Sequence, residues 1–550
     1  MREVTISDHG GRIMATISRM WSWWLEETDE KDGRAKFILT IFVTAFAVSW
    51  YTWVIKKSRK EKLLWLLPPG PPGLPLIGNL PFVEPELQLY FFRLTKIYGP
   101  IFRLQLGNKL CVVLNSPSLA KEVMRDHDAV FANRDAPITA LTISYGGMDI
   151  AWSAYGHDWR IQRRLFVREM MSNTILESYY TLRRQEVRRT VCDIYTKIGT
   201  PISIREQMFL TVLNVIMNMI WGGTLKGEER IRVGAEFRRV VEECVELMGK
   251  PNISDIFPVI ARFDLQGLDR RMKRLLLWFD QIFDSVLDQR RKTVKAEGNG
   301  KSQESTDFLQ LLMQLLDDED PKTRITMTHL RALLMDVVVG GTETTSTTVE
   351  WALSELMYHP HIMRKVQDEL EKVVGKNNTV EESHLRKLHY LDAVLKEVLR
   401  LHPVLPLLIP RRPSASCNVG GYTIPKDTRV LVNAWAIHRD PDAWDRPFEF
   451  RPERFLTEAT KSDFNGNDFR YIPFGSGRRI CAGLPLAEKM LMHVLASLLH
   501  SFEWALPEGT ELDLLEKFGI VIKKSTPLIA IPSPRLSNPQ LYAPYATFEI

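Results

Sequence analysis

The chain has 550 residues, of which 45% are hydrophobic and 25% are charged, as in ordinary globular proteins. Its 72 basic and 67 acidic residues leave a net charge of +5, a balance too even for a nucleic-acid-binding protein. The five cysteines are scattered and form no Cys-x-x-Cys pair, which argues against a disulfide framework or a structural zinc site and predicts a reducing compartment.

An uncharged, mostly apolar segment at residues 37–55 predicts a transmembrane helix. At about 1.5 Å per residue it spans about 28 Å, close to the hydrocarbon thickness of a bilayer. Basic residues are denser after it than before it, so we expect the rest of the chain to face the cytoplasm. A cleaved signal peptide is the alternative, but the segment has no small-residue cleavage site.

This anchor sets the predicted domain organisation. Residues 1–36 form an N-terminal tail, and residues 56–78 form a basic and Pro-rich hinge, in which the stretch Pro68–Pro75 cannot be helical. We expect one catalytic domain over residues 79–532, mainly α with small β-sheets, and an unstructured C-terminal tail at residues 533–550.

Several elements of this domain can be predicted in chain order. The apolar runs Ile101–Leu106 and Leu110–Leu114 predict strands, and residues 175–320 read as successive helices. A long helix is expected over Met327–Tyr358 with Thr326 as its N-cap, although glycines and β-branched residues at its centre are poor helix formers. A last amphipathic helix is expected from Leu484 to Phe502.

The segment Phe474–Gly483 places Cys481 between glycines and arginines, directly before that last helix. Unpaired amides and the positive end of the helix dipole favour a thiolate there by about 0.3–1 kcal/mol. Glycines would also let the backbone pass close to a flat, bulky partner. For a lone cysteine, the alternative is a buried structural residue in a glycine-rich turn.

The whole pattern resembles, position by position, the cysteine loop of the cytochrome P450 family. The resemblance implies the cytochrome P450 fold and makes Cys481 the axial thiolate ligand of the iron in haem b. A thiolate suits this role because it pushes electron density onto iron and favours O–O cleavage. The positions that carry the match and are expected to contact the haem are Phe474, Gly477, Arg479 and Gly483.

Other residues gain roles from the same resemblance. Trp159 and Arg163 lie four positions apart, so one helix face would present two donors to an acidic group, as the family's Trp-x-x-x-Arg pair does to a haem propionate. Arg134 and Arg411 occupy positions that contact haem propionates in the family. When each of these residues is considered alone, the alternative is a solvated residue on the protein surface.

Gly340–Thr345 resembles the family's oxygen-activation motif. The resemblance makes Thr344 a hydrogen-bond partner of dioxygen or of its water, and Glu343 a source of protons. A helix packed through its glycines is the alternative. Glu397 and Arg400, with Arg454, are expected to form a buried structural triad that supports the cysteine loop.

The resemblance predicts a plant-type, single-pass endoplasmic reticulum monooxygenase. It would insert one oxygen atom from O2 into a small apolar molecule, with electrons from NADPH delivered by NADPH-cytochrome P450 reductase. An O2-independent haem-thiolate isomerase or dehydratase is an alternative, although such enzymes tend to lose the threonine of the oxygen motif. A non-catalytic haem carrier or sensor is another.

The sequence around Cys481 is most similar to those of plant terpenoid and flavonoid hydroxylases. The expected pocket positions are all aliphatic, which favours a terpenoid substrate, with a flavonoid or phenylpropanoid as the alternative. These positions are Val337, Val404, Leu405, Leu408 and Ile520.

Overall fold

The computed structural model describes residues 40–45, 48, 66–222, 227–297, 307–316, 325–457 and 462–543. The predicted N-terminal tail, most of the predicted anchor and the end of the C-terminal tail lie outside these ranges. Among the residues described, no helix combines the length and apolar character needed to cross a bilayer. The chain divides into two units, and every element below belongs to the unit formed by residues 68–73 and 77–550.

Helices dominate this unit. In chain order they are α1 Leu87–Tyr98, α2 Pro117–Lys121, α3 Ile138–Ile143, α4 His157–Glu169, α5 Asn173–Ser178, α6 Tyr180–Tyr195, α7 Ile204–Trp221, α8 Gly227–Gly249, α9 Ile253–Ile256, α10 Leu268–Glu297, α11 Phe308–Leu316, α12 Met327–Tyr358, α13 Pro360–Val373, α14 Glu382–Leu385, α15 His389–Leu401, α16 Ala434–Ile437 and α17 Leu484–Ser501.

The strands are short and form small sheets. They are β1 Ile101–Leu106, β2 Lys109–Leu114, β3 Asn133–Arg134, β4 Ile202–Ser203, β5 Arg411–Arg412, β6 Cys417–Val419, β7 Tyr422–Ile424, β8 Arg429–Val432, β9 Phe502–Ala505, β10 Glu516–Lys517, β11 Lys523–Lys524 and β12 Ile529–Pro534.

The largest sheet has the order β1-β2-β8-β5-β3, with β2 and β8 parallel and its other pairs antiparallel. A second sheet has the order β4-β12-β9, and two hairpins pair β6 with β7 and β10 with β11. The prediction of a mainly α fold with small sheets is therefore confirmed, including the strands near Ile101 and Leu110.

The core of the helical part is built on α12, which packs against α7 and α17. Helix α7 is apolar on nearly all sides, as expected of a helix surrounded by protein. Gly341 of α12 allows this close packing, because a Cβ atom added there would lie 2.6 Å from Cδ1 of Ile216 in α7.

The bounds predicted for α12 are confirmed, and the helix continues through its centre despite the glycines. Thr326 caps it by accepting a hydrogen bond from the His329 amide at 3.2 Å. Central hydroxyl groups donate to the carbonyl four residues back, as Thr342 does to Val338 at 2.7 Å. These bonds satisfy the hydroxyl donors of Thr342, Ser346 and Ser354 inside the helix, whereas the buried Thr347 hydroxyl has no partner among the described residues.

The predicted triad is buried and joined. Arg400 donates from Nε and Nη2 to the two carboxylate oxygens of Glu397 at 2.7 and 2.9 Å. Arg454 Nε donates to Oε1 of the same carboxylate at 3.0 Å. All three side chains are almost completely buried, which requires this mutual pairing.

The triad reaches the cysteine loop through His438. Arg400 Nη1 donates to the His438 carbonyl oxygen at 2.8 Å, and His438 Nε2 accepts from the Ile472 amide at 2.9 Å. Burial and the neighbouring arginines lower the pKa of His438 to about 3, so the ring is neutral and able to accept. Ile472 is two residues from Phe474, where the loop begins.

The prediction that residues 533–550 lack structure is wrong for the part described. Strand β12 continues to Pro534, and residues Pro539–Tyr542 form a 3-10 helix. Tyr542 is buried, its hydroxyl donates to the Ser501 carbonyl oxygen at 2.7 Å, and its ring stacks on Tyr195. Burial of this aromatic ring orders a segment whose composition is typical of a tail.

Replacing Arg400 by Met tests the structural role of the triad. We expect a loss of about 3–5 kcal/mol in the free energy of unfolding, because Glu397 loses two of its charge-assisted hydrogen bonds while remaining buried. Denaturant titration, or the yield of folded protein, measures this loss. Arg168→Met is the matched control, since Arg168 pairs with Glu169 on the surface and its loss should change stability by less than about 1 kcal/mol. Equal stabilities of the two variants would contradict the prediction.

Candidate functional site

The cysteine loop is held by its own backbone and by a neighbouring turn. The Cys481 amide donates to the Phe474 carbonyl oxygen at 3.0 Å, which closes the loop. Gly477 has φ of +69°, and a Cβ atom there would lie 2.2 Å from the Met124 carbonyl oxygen. Gly477 is therefore required for packing against protein. By contrast, no heavy atom lies within 4 Å of a Cβ atom added at Gly475 or Gly483.

Cys481 lies within the protein. Its side chain is accessible, yet burial raises the pKa of its thiol. The Gly483 and Leu484 amides at the start of α17 and the charge of Arg163 act in the opposite direction and favour the thiolate. The sulfur is thus surrounded by protein while its own surface remains open, as a metal ligand requires.

Four arginines lie close enough to one another in this region to interact electrostatically. Arg479 donates to the carbonyl oxygens of Ala132, Ile150 and Ser153 at 2.7, 3.0 and 2.6 Å. Arg134 donates to those of Ala151 and Ile409 at 3.2 and 2.9 Å. Arg411 Nη2 donates to the Ser476 carbonyl oxygen, and Arg411 Nη1 lies 3.6 Å from Oδ1 of Asp128. Arg163 is the fourth member of this arginine cluster.

The charge of this arginine cluster is only partly neutralised. Burial lowers the pKa of Arg134 well below its usual value, and the positive charges of Arg411, Arg479 and Arg163 lower it further. Arg163 makes no hydrogen bond or ion pair with the residues described. A buried excess of positive charge of this kind favours an anionic ligand.

The loop of residues 149–153 connects these groups. Asp149 accepts from the amides of Trp152 and Ser153 at 2.9 and 3.1 Å. Asp336 of α12 accepts from the Ile150 amide at 2.6 Å and shares a hydrogen bond with Asp149. Burial raises the pKa of both carboxyl groups, that of Asp149 to about 6, so the pair retains a proton.

Trp159 lies on α4 as predicted, but its indole N–H is used within the protein. It donates to the Ile150 carbonyl oxygen at 3.1 Å, and the Arg479 guanidinium lies 4.5 Å from the ring centroid. Trp159 therefore supports Arg479 and the loop of residues 149–153. Its direct contact with a haem propionate stays a prediction, as do the contacts of the other residues named from the family.

The centre of α12 brings a glycine, a carboxylate and a hydroxyl group together. Gly340 is exposed, and no heavy atom lies within 4 Å of a Cβ atom added there. The half-buried Thr344 donates to the Gly340 carbonyl oxygen at 2.8 Å. Glu343 is buried and forms an ion pair with Lys523 of β11.

Sequence reasoning missed Lys523, Asp149 and Asp336. Lys523 is far from Glu343 along the chain, and no local pattern marks their contact. Asp336 did carry a signal, because it is a lone acid in an otherwise apolar run of α12. Asp149 lies in a loop where an acid is ordinary.

Four of the expected pocket residues belong to one apolar cluster, namely Val337, Val404, Leu405 and Ile520. Leu408 packs instead against the separate cluster around the large sheet, and its φ is +50°. The structure therefore brings four of the five expected pocket residues into one cluster and places Leu408 in another.

The residues present fit a haem. Cys481 offers an accessible sulfur inside the protein, and Gly340, Gly475 and Gly483 leave space beside the backbone. The arginine cluster offers buried positive charge that would match two propionates.

Replacing Asp149 by Asn tests the carboxyl pair. Because burial raises the pKa of Asp149 from 3.8 to about 6, its protonated form stabilises the fold below about pH 4, and this contribution is lost as the pH rises through about 6. We expect the melting temperature of the wild type to fall by a few degrees relative to Asp149→Asn between about pH 5 and pH 7. Asp126→Asn, at an exposed acid, should leave the pH profile unchanged. Parallel profiles for the wild type and Asp149→Asn would contradict the prediction.

Comparisons with known proteins identify the family of this chain. The sequence model of the cytochrome P450 family matches residues 68–531. A flavonoid 3'-monooxygenase of Arabidopsis thaliana is 39% identical over 86% of this chain and 93% of its own length. A flavonoid 3'-monooxygenase of Crocosmia x crocosmiiflora is 38% identical over 91% of this chain and 98% of its own.

Among solved structures, a zebrafish cytochrome P450 with abiraterone superimposes with a TM-score of 0.69 at 30% identity, covering 82% of this chain and 100% of that one. The family match thus covers nearly all of the unit that carries the cysteine loop, and the chain belongs to the cytochrome P450 monooxygenase family.

Proposed function

We propose that this chain is a membrane-anchored haem-thiolate monooxygenase that hydroxylates a flavonoid or a related phenylpropanoid. The observation that carries the reaction class is the accessible Cys481 sulfur inside a buried, arginine-rich site. The substrate class is supported by the two relatives named flavonoid 3'-monooxygenase, each aligned over most of its length.

Cys481 would bind the iron of haem b through its thiolate sulfur. Arg134, Arg163, Arg411 and Arg479 would face its propionates. Arg163 has a guanidinium without a partner among the described residues, and the other three are held in place by backbone carbonyl oxygens. When bound, the haem supplies the activation of O2 that no amino-acid side chain provides.

The chain itself would supply orientation and protons. Glu343 is a buried carboxylate next to Thr344, whose hydroxyl group lies at the exposed Gly340 backbone. A proton held at Glu343 could pass toward the Thr344 hydroxyl, which can both accept and donate. Both groups are present, which favours an oxygen-using enzyme over an O2-independent isomerase or dehydratase.

The terpenoid interpretation rested on five aliphatic positions. Its support is weaker than expected, because Leu408 packs away from the other four and the relatives reported above are flavonoid enzymes. An apolar pocket also accommodates the flat rings of a flavonoid, so the aliphatic lining is compatible with a flavonoid substrate.

We propose that residues 37–55 anchor the enzyme in the endoplasmic reticulum membrane, with the catalytic domain in the cytoplasm. The apolar segment and the basic run after it support this placement. Electrons would come from NADPH through NADPH-cytochrome P450 reductase.

A substrate panel tests the proposed function. Microsomes that contain the full chain and a plant reductase would receive flavanones, flavones, terpenes and aldoximes with NADPH under labelled O2. We expect hydroxylated flavonoids that carry one labelled oxygen atom, and no product without NADPH. Omission of the reductase is the control. Turnover of terpenes alone would contradict the substrate class, and product formed without O2 would contradict the reaction class.

A further inference from the structure

We propose that Lys523 is the proton donor that recharges Glu343, so that this ion pair is a route for protons from solvent into the active site. The inference rests on the proposed function, because it assigns a source for the protons that oxygen activation consumes. It begins from one contact, between Lys523 Nζ and Glu343 Oε1, that joins the β10–β11 hairpin to the centre of α12.

The two members of the pair differ in their access to water. The Glu343 side chain is 1% exposed, whereas that of Lys523 is 20% exposed. Within the described part of the chain, no aligned hydrogen-bond donor reaches either carboxylate oxygen of Glu343. The charge of Lys523 therefore offsets the burial of this acid, and its ammonium group lies between the acid and solvent.

Lys523 is held firmly in this position. The neighbouring Ile522 donates from its amide to the Val404 carbonyl oxygen at 2.8 Å and accepts from the Trp351 indole of α12 at 3.5 Å. At the other strand of the hairpin, Glu516 binds the ring of His402 at 3.0 Å. The hairpin backbone is thus fixed against α12, so the lysine stays within reach of Glu343.

Other charged groups near the pair already have partners of their own. Glu350, two turns further along α12, accepts from the Leu528 amide at 2.9 Å and lies 3.8 Å from Arg205. Lys524 donates to the Asp513 carbonyl oxygen. Among these charged residues, Glu343 is therefore the acid that forms an ion pair with Lys523.

The proton step is balanced within the protein and water. An N–H bond of the Lys523 ammonium breaks, and an O–H bond forms at Oε1 of Glu343. The neutral amine then takes a proton from a water molecule at its exposed side, and a proton from bulk solvent neutralises the hydroxide that is left. The net change is one proton moved from solvent to a buried carboxylate, with no change in oxidation state.

Lys523→Arg separates this role from a structural one. Arginine keeps the positive charge and the ion pair, but it does not release a proton in proteins. Lys523→Gln removes both charge and proton. Lys517 lies opposite Lys523 in the hairpin register and is exposed, so Lys517→Arg and Lys517→Gln are matched controls.

The first measurement does not depend on turnover. An amine-acetylating reagent is applied to the full-length protein, and labelling of Lys523 and Lys517 is followed by mass spectrometry. We expect Lys523 to react about tenfold more slowly than Lys517, because the ion pair and partial burial shield its amine, and Glu343→Gln to narrow this difference. Equal labelling in the wild type would overturn the proposal.

The second measurement is product formed per NADPH consumed, with its solvent deuterium isotope effect. We expect both Lys523 variants to lower the yield about tenfold and to raise the isotope effect, with the substrate-binding spectrum unchanged and the Lys517 controls like the wild type. A wild-type yield in Lys523→Arg would overturn the relay.

Thr344→Ala, measured in parallel, separates the two levels of inference. A lowered yield in this variant with a wild-type yield in Lys523→Arg would overturn the lysine's role alone. An unchanged yield in Thr344→Ala would overturn the proposed oxygen motif and, with it, the relay.

Discussion

The interaction on which the site depends is the binding of Arg479 by backbone carbonyl oxygens. Arg479 precedes Cys481 by two residues, and its guanidinium joins the cysteine loop to Ala132 and to the loop of residues 149–153. That second loop is held in turn by Asp149 and by Asp336 of α12. One buried cation thereby fixes the cysteine, the arginine cluster and the central helix relative to one another.

Much of this could be predicted from the sequence, because the signals are local. The start of helix α12 follows from its Thr326 cap, although the residues at its centre have low helix propensity, and α17 follows from its apolar spacing after Pro485. The joined triad of Glu397, Arg400 and Arg454 was expected from the family, and its hydrogen bonds agree. The cysteine loop itself is a contiguous motif and needs no tertiary information.

The rest depends on contacts between distant segments. Nothing near Lys523 in the sequence indicates that it reaches Glu343, and neither Asp149 nor Asp336 has a local partner that would mark their pairing. The same limit applies to Tyr542, whose burial against Tyr195 orders a segment expected to be a tail. Trp159 is on the predicted helix, but its choice of the Ile150 carbonyl oxygen depends on the loop folded above it.

The structure contains two kinds of charge arrangement, and they have different consequences for function. The triad of Glu397, Arg400 and Arg454 is closed to solvent and serves stability. The arginine cluster leaves Arg163 free of partners among the described residues, and the Lys523–Glu343 pair reaches water on one side. Unbalanced positive charge is therefore found in the arginine cluster near Cys481, where an anionic cofactor would neutralise it.

Ligation of haem iron by Cys481 is the central claim, and the carbon monoxide difference spectrum of the reduced protein tests it most directly. The wild type should show the red-shifted band of a thiolate-ligated haem, Cys481→Ala should lose it, and Cys192→Ser, at another partly exposed cysteine, should retain it. A red-shifted band that persists in Cys481→Ala would contradict the assignment.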